Sequence, residues 1–295
     1  MSILQAIILG IVQGLTEFIP ISSTAHLVFA ARLIGLYNGV DAALKAEQTT
    51  ATIAVIQLGT LLAVLIYFAR DIINITRAFV RDHIALLSGR RRTDGSTQLS
   101  PEAWLGWLVI LGSIPVSVVG LLFKHQIEGT FTKNLWVIAT MMIVVAVLLT
   151  IAEWVGRKQR SMAQLGISDA LVVGCSQVLA LVPGSSRSGS TIMGGLFAGL
   201  TRETAARFSF LLSIPAIAAS GILELKEAIN KLPDGSYLPL IVATVVSGLV
   251  GYASIWFLLR YLRTHSTAVF IVYRLVVGAA ILFALIGGYI SATAV

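Results

Sequence analysis

The chain has 295 residues, of which 57% are hydrophobic and 12% charged, with 26 glycines besides and a mean hydropathy of +0.89. A soluble domain carries about a quarter charged residues and cannot hide this much apolar surface. Composition therefore excludes a soluble enzyme, a disordered chain and a secreted disulfide scaffold. The net charge of +7 calls for no nucleic-acid partner, because membrane proteins gather Lys and Arg in their cytoplasmic loops.

In chain order, the first stretch, 1–34, is apolar but broken by Pro20, by glycines and by Ser22, Ser23 and Thr24. It carries Glu17 and His26 in its middle, and so predicts a re-entrant helix–loop–helix segment, a form tolerated only where it is buried or lines a cavity. Charge-free runs at 48–69, 103–123 and 134–152 are long enough to span a bilayer. Between them, 70–102 holds Arg70, Arg77, Arg81, Arg90, Arg91 and Arg92 and reads as a cytoplasmic loop. The segment 153–168, with Arg157, Lys158 and Arg160, reads as cytoplasmic too. The stretch 169–200 is broken like the first and predicts a second re-entrant segment. A short span follows at 208–223, borrowing a turn through Arg207; then come an outside segment at 224–236 and spans at 238–259 and 275–295. The predicted fold is an all-α polytopic membrane protein with about six full transmembrane helices. Trp104, Trp107, Trp136 and Trp154 mark span ends, and the single cysteine, Cys175, reads as a small buried residue.

The two broken stretches resemble each other. Gly10-Ile-Val-Gln13-Gly-Leu15 matches Gly174-Cys-Ser-Gln177-Val-Leu179, and Pro20-Ile-Ser22-Ser23 matches Pro183-Gly-Ser185-Ser186 with a one-residue shift between the blocks. The loop charges run the following spans in opposite directions. The chain thus reads as one integral membrane domain built from an inverted repeat, 1–155 and 166–295, with loops entering from opposite sides.

Ionisable groups at membrane depth are functional candidates. Arg187 lies in Pro183-Gly-Ser185-Ser186-Arg187-Ser188-Gly189-Ser190-Thr191, which reads as an anion cradle: glycines admit close backbone approach, hydroxyls add donors, and arginine offers a bidentate fork. It is not a nucleotide P-loop, since the Gly-Lys-Ser/Thr ending is absent. In the first stretch His26 can act as nucleophile or proton carrier. Glu17 can orient or deprotonate it, or bind a divalent cation, and Ser23 is an alternative nucleophile if a base activates it. Ser22 and Thr24 complete the polar cluster. Gln57 packs against the active loop or links helices; Arg274 snorkels or binds a lipid phosphate. His83, His125 and His265 read as ordinary.

The run Gly14-Leu-Thr-Glu17-Phe-Ile-Pro-Ile-Ser-Ser-Thr-Ala-His26, with Pro183–Thr191, Ala54-Val-Ile-Gln57-Leu-Gly59, Phe208–Pro215 and Tyr273-Arg274, resembles the bacterial undecaprenyl-diphosphate phosphatase family, linked to bacitracin resistance. The likeness covers essentially the whole chain. It implies hydrolysis of a polyisoprenyl diphosphate to the monophosphate and inorganic phosphate, recycling the lipid carrier for peptidoglycan in the bacterial inner membrane, with a site open to the outer face. It also implies Glu17, Ser23, His26 and Arg187 as catalytic residues, with Ser186 and Thr191 as phosphate ligands. A divalent cation, Mg2+ or Ca2+, is implied as cofactor. Many members carry glutamate where this chain has Gln13, which can ligate a metal but cannot act as a base, and glycine where it has Ala25. A homodimer is left open. The competing readings are a transporter or flippase, and an acid-phosphatase-like lipid phosphatase. The latter needs a second histidine soon after its Ser-Arg motif, and here none follows Arg187 until His265.

Overall fold

The computed structural model describes residues 1–39, 41–88, 99–123, 134–229 and 237–292. Arg90, Arg91, Arg92 and His125 lie outside the described residues, as does most of the expected outside segment. Among the described residues there are eleven α-helices and no strand. They are α1 (Ile3–Phe18), α2 (Ser23–Leu33), α3 (Ala42–Tyr67), α4 (Ala69–Leu87), α5 (Pro101–Leu122) and α6 (Leu135–Val155). The second half supplies α7 (Ile167–Val178), α8 (Arg187–Phe197), α9 (Arg202–Ile229), α10 (Tyr237–Leu262) and α11 (Ala268–Ile286).

Local chemistry sets the helix ends. Ser2 and Gln5 form a capping box at the start of α1. Ser100 caps α5 ahead of Pro101, and Asn134 Oδ1 accepts from the Trp136 amide at the start of α6. Pro20 stops the first helix of the first stretch, because proline has no amide to continue the ladder; in the second stretch a 3-10 turn over Leu179–Leu181 leads from the helix to Pro183.

Among the described residues, five helices are long and apolar enough to cross a bilayer: Glu47–Tyr67 of α3, and α5, α6, α10 and α11. The predicted span 208–223 lies within the longer α9. Side chains such as Leu62, Ile66, Leu249 and Phe283 face outward. The chain is a multi-pass membrane protein. By contrast α1, with 16 residues, rises only about 24 Å, and α2, α7 and α8 are shorter still. Each broken stretch is thus a hairpin of two short helices.

Four expectations are corrected. The last span starts at Ala268, not 275, since Arg274 lies inside the helix with 0% exposure and therefore neither ends the span nor snorkels. Carbonyls satisfy its charge, as described below. The basic segment 70–102 is no open loop, because α4 occupies its first part; buried Asp82 accepts from the Ser100 amide at 2.8 Å and so ties α4 to α5. The segment 224–236 begins as helix, α9 running to Ile229. Cys175 is exposed, on the outward side of α7 beside Leu171 and Val172.

Packing brings the halves together. α1 lies against α10, α7 against α5, α3 against α9 and α10, and α6 against α11. A Cβ on Gly10 would stand 2.6 Å from the Ala243 carbonyl oxygen of α10, and one on Gly174 would stand 2.3 Å from the Gly112 oxygen of α5. Both crossings are closer than any side chain allows. Phe18 meets Phe210 edge-on at 5.3 Å between ring centres, and Phe68 lies 6.2 Å from Phe210, so aromatic packing backs the end of α1. On the side of the basic segments, Glu153 of α6 accepts from Arg202 of α9 and from the Thr267 hydroxyl before α11. Arg160 grips Asp169 with two bonds of 2.6 Å, and these hydrogen bonds raise the guanidinium pKa above its ordinary value.

Candidate active site

The two hairpin turns meet. Ser188 Oγ donates to the Ile19 carbonyl at 3.3 Å, across the junction. Arg274 binds the turns from behind. Its guanidinium donates to the carbonyls of Pro20 in the first turn (3.4 Å) and of Gly184 and Ser185 in the second (2.9 and 3.0 Å). It also reaches the Met141 and Met142 carbonyls of α6. A buried cation is stable only when its donors are occupied, and here backbone oxygens occupy them. Arg274, expected as a phosphate ligand, is placed as a clamp between the loops.

Both turns end on a strained serine. Ser22 and Ser186, the N-caps of α2 and α8, have φ of +79° and +68°, a region that non-glycine residues enter at a cost of about 1–3 kcal/mol. Ser186 lies 164 residues after Ser22, the same offset that relates Gly174 to Gly10 and Gln177 to Gln13. The structure thus removes the one-residue shift expected between the sequence blocks. On this register Ser23 corresponds to Arg187, His26 to Ser190 and Glu17 to Leu181. Glu17 and His26 belong to the first hairpin and Arg187 to the second.

The central contact joins those two sets. Arg187 Nη2 donates to Glu17 Oε1, with side-chain exposures of 18% and 6%. Gln13 Nε2 donates to Glu17 Oε2 at 3.1 Å and lies 3.3 Å from Thr60 Oγ1 of α3. Glu17, Arg187 and Ser188 line a narrow cleft with Phe18, Ser209, Phe210 and Ser213. Helices α2 and α8 both begin at this junction, and their N-terminal amides favour an anion. Ser22 makes no side-chain cap bond on α2, whereas Ser186 Oγ accepts from the Gly189 amide at 3.2 Å.

His26 stands on the first turn of α2. Its Nδ1 lies 2.6 Å from the Ser22 carbonyl and its Nε2 lies 2.6 Å from the Tyr273 hydroxyl. A carbonyl only accepts, so the Nδ1 contact assigns that nitrogen the proton and leaves the lone pair on Nε2. Tyr273 precedes the Arg274 clamp on α11.

The remaining expected phosphate ligands divide. Ser23 is half-buried and Thr24 exposed at the start of α2. Ser185, Ser190 and Thr191 are fully buried. Thr191 Oγ1 donates to the Arg187 carbonyl and lies 2.5 Å from Ser209 Oγ, so it braces α8 against α9. Thr60 Oγ1 donates to the main-chain carbonyl of Gln57 within α3, and Gln57 is not among the residues that line the cleft. Residues missed from the sequence are Phe18, Ser209, Phe210 and Ser213 of the cleft, Thr60, and Tyr273 beside His26. Ser209 and Ser213, polar residues four apart in an apolar span, were the available signal.

No group of three or more acidic, His or Cys side chains that could hold a metal occurs among the described residues. Yet Gln13 Oε1, beside Glu17, is buried without a partner. One carboxylate and one amide oxygen do not make a closed cage. They fit a hard cation that keeps part of its water shell.

The chain matches the family model described as "Bacitracin resistance protein BacA" over residues 6–280. It is 53% identical over 283 residues to the undecaprenyl-diphosphatase of Syntrophobacter fumaroxidans, covering 96% of this chain and 97% of that protein. It is 49% identical over 301 residues to that of Chlorobium phaeobacteroides, covering 99% and 100%. With the enzyme of that name from Mycolicibacterium gilvum, identity is 44% over 295 residues, covering 99% and 100%. Matches of this length and identity make the chain a member of the BacA family.

Proposed function

We propose that this protein hydrolyses undecaprenyl diphosphate to undecaprenyl phosphate and inorganic phosphate. The observation that carries the reading is the Glu17–Arg187 pair at the junction of two helix N-termini, in a chain whose relatives are named for that reaction. The diphosphate head enters the junction and the prenyl tail lies among the outward-facing apolar side chains. The terminal phosphate takes Glu17's place on Arg187, whose planar fork matches it. Arg187 and the first amides of α2 and α8 then offset charge that develops on the phosphoryl oxygens.

His26 Nε2 attacks the terminal phosphorus in line. The bond from that phosphorus to the bridging oxygen breaks, and lipid monophosphate leaves with the electron pair. Glu17, released from Arg187, takes a proton from water, which attacks the phosphohistidine to give inorganic phosphate and free His26. The lone pair placed on Nε2 supports His26 over Ser23 as nucleophile. Glu17 and Gln13 Oε1 would hold a magnesium or calcium ion, which supplies further charge neutralisation when bound.

The same reading makes the two hairpins an inverted repeat entering from opposite faces; the shared 164-residue offset and the matched close crossings at Gly10 and Gly174 support it. It puts 70–102 and 153–168 on the cytoplasmic side of a bacterial inner membrane, with the site open outward, where spent carrier is released. Recycling the carrier for peptidoglycan and protection against bacitracin follow from that chemistry.

The test is phosphate release from C15 and C55 prenyl diphosphates by purified protein, with magnesium or EDTA, beside Glu17→Ala and His26→Ala. Release lost in both variants is the expected outcome. Lipid movement across liposomes without phosphate release would replace this reading with a flippase.

A further inference from the structure

We propose that Tyr273 is the positioning residue for His26, capping its Nε2 until substrate arrives. The inference rests on the phosphatase reading for its kinetic consequence, but not for its geometry. His26 is held from two sides, by the Ser22 carbonyl at Nδ1 and by the Tyr273 hydroxyl at Nε2, each at 2.6 Å. The two rings lie 15° from parallel with centres 5.5 Å apart, so the tyrosine ring also limits rotation of the imidazole. The Ser22 contact puts the proton on Nδ1, and the phenol therefore donates to the Nε2 lone pair. That is the nitrogen that must face the phosphorus.

The base of Tyr273 cannot shift easily. Its neighbour Arg274 is fastened to both hairpin turns and to α6 through backbone carbonyls. Tyr273 is 41% exposed, so its hydroxyl can swing aside without opening the core. Tyr273 is thus a mobile cap on a fixed base. It aims the imidazole in the resting enzyme and yields Nε2 when a phosphoryl group takes its place. Removing the hydroxyl leaves the imidazole held by the Nδ1 bond and the neighbouring ring, with Nε2 no longer aimed.

Diethylpyrocarbonate acylates neutral imidazole, and peptide mass spectrometry of the full-length protein in detergent reads each histidine separately. Tyr273→Phe keeps the ring and removes the donor. Relative to His265, the His26 rate should rise about fivefold, the factor one neutral hydrogen bond is worth. An unchanged rate overturns the cap. In hydrolysis of a C15 prenyl diphosphate, the same variant should lose about fivefold in kcat with KM close to wild type, since aim rather than binding is lost. An unchanged kcat overturns the positioning role. If wild-type protein releases no phosphate, the phosphatase reading falls by itself, and the acylation rate still decides the cap.

Discussion

Glu17, near the end of the first helix, and Arg187, at the start of the eighth, are ion-paired across 170 residues of sequence. Each lies at the turn of its own hairpin, and neither could stay buried alone without a large desolvation cost. The pair holds the two turns in contact and keeps the guanidinium in place for an anion. On the proposed mechanism, a phosphate that binds Arg187 frees a carboxylate beside it, so one exchange both seats the substrate and releases a base.

Arg187→Ala should lower turnover by at least about 10³-fold, as removal of a phosphoryl-binding arginine does. It should also destabilise the protein by up to about 3 kcal/mol, because Glu17 keeps a buried, uncompensated charge. Adding Glu17→Gln should return most of the stability and none of the activity. Thermal melts and phosphate release on the two single variants and the double variant check this. Near-normal turnover in Arg187→Ala would refute the cradle.

Arg274 predicts a different signature. Arg274→Lys keeps the charge but cannot reach carbonyls in both turns and α6 at once. Roughly 3 kcal/mol of stability should be lost, and activity with it, because carbonyls of both turns lose their donor. Arg274→Met should be no better. Scanning calorimetry of protein in detergent is the measurement; a wild-type melting temperature would show that the turns are held by other contacts.

The close crossings separate two glycines by sign. Gly174→Ala places a Cβ 2.3 Å from the Gly112 carbonyl oxygen and should cost roughly 1–3 kcal/mol by forcing α7 from α5. Gly120→Ala meets only a Leu181 methyl at 3.8 Å and should stabilise α5 by about 0.5–1 kcal/mol through helix propensity. Melting temperatures moving the same way in both would contradict the packing.

Gln13→Glu replaces a donor to Glu17 with a second carboxylate. Without divalent cation the variant should melt below wild type, because like charges would face each other in a buried site. Millimolar magnesium or calcium should raise its melting temperature more than it raises that of wild type. Equal responses would mean that the cation, if bound, lies elsewhere.

Much of the fold was legible residue by residue. Charge-free runs marked α5, α6 and α10 within a few residues, and Pro20 and Pro183 marked the breaks of both hairpins. The site was legible in part. Glu17, Arg187 and Ser188 share the cleft, whereas Ser190 and Thr191, equally polar in sequence, point into helix packing. A serine four residues on in a helix faces one neighbour or another according to how the helix is docked, and that is a tertiary matter. Arg274 was misjudged for the same reason. In sequence an arginine ends a hydrophobic span, but in the fold five carbonyls from three segments surround it.

The sequence by itself determined that the chain is an all-helical membrane protein with two broken hairpins, because apolar run length, proline and charge placement act locally and need no partner. Only the tertiary structure decided which polar groups meet. It joined Glu17 to Arg187, turned Arg274 from the bilayer onto the loop carbonyls and set Tyr273 against His26. A buried charge takes whichever partner the packed helices bring within hydrogen-bond reach, and helix docking is set by crossings such as Gly174 on Gly112.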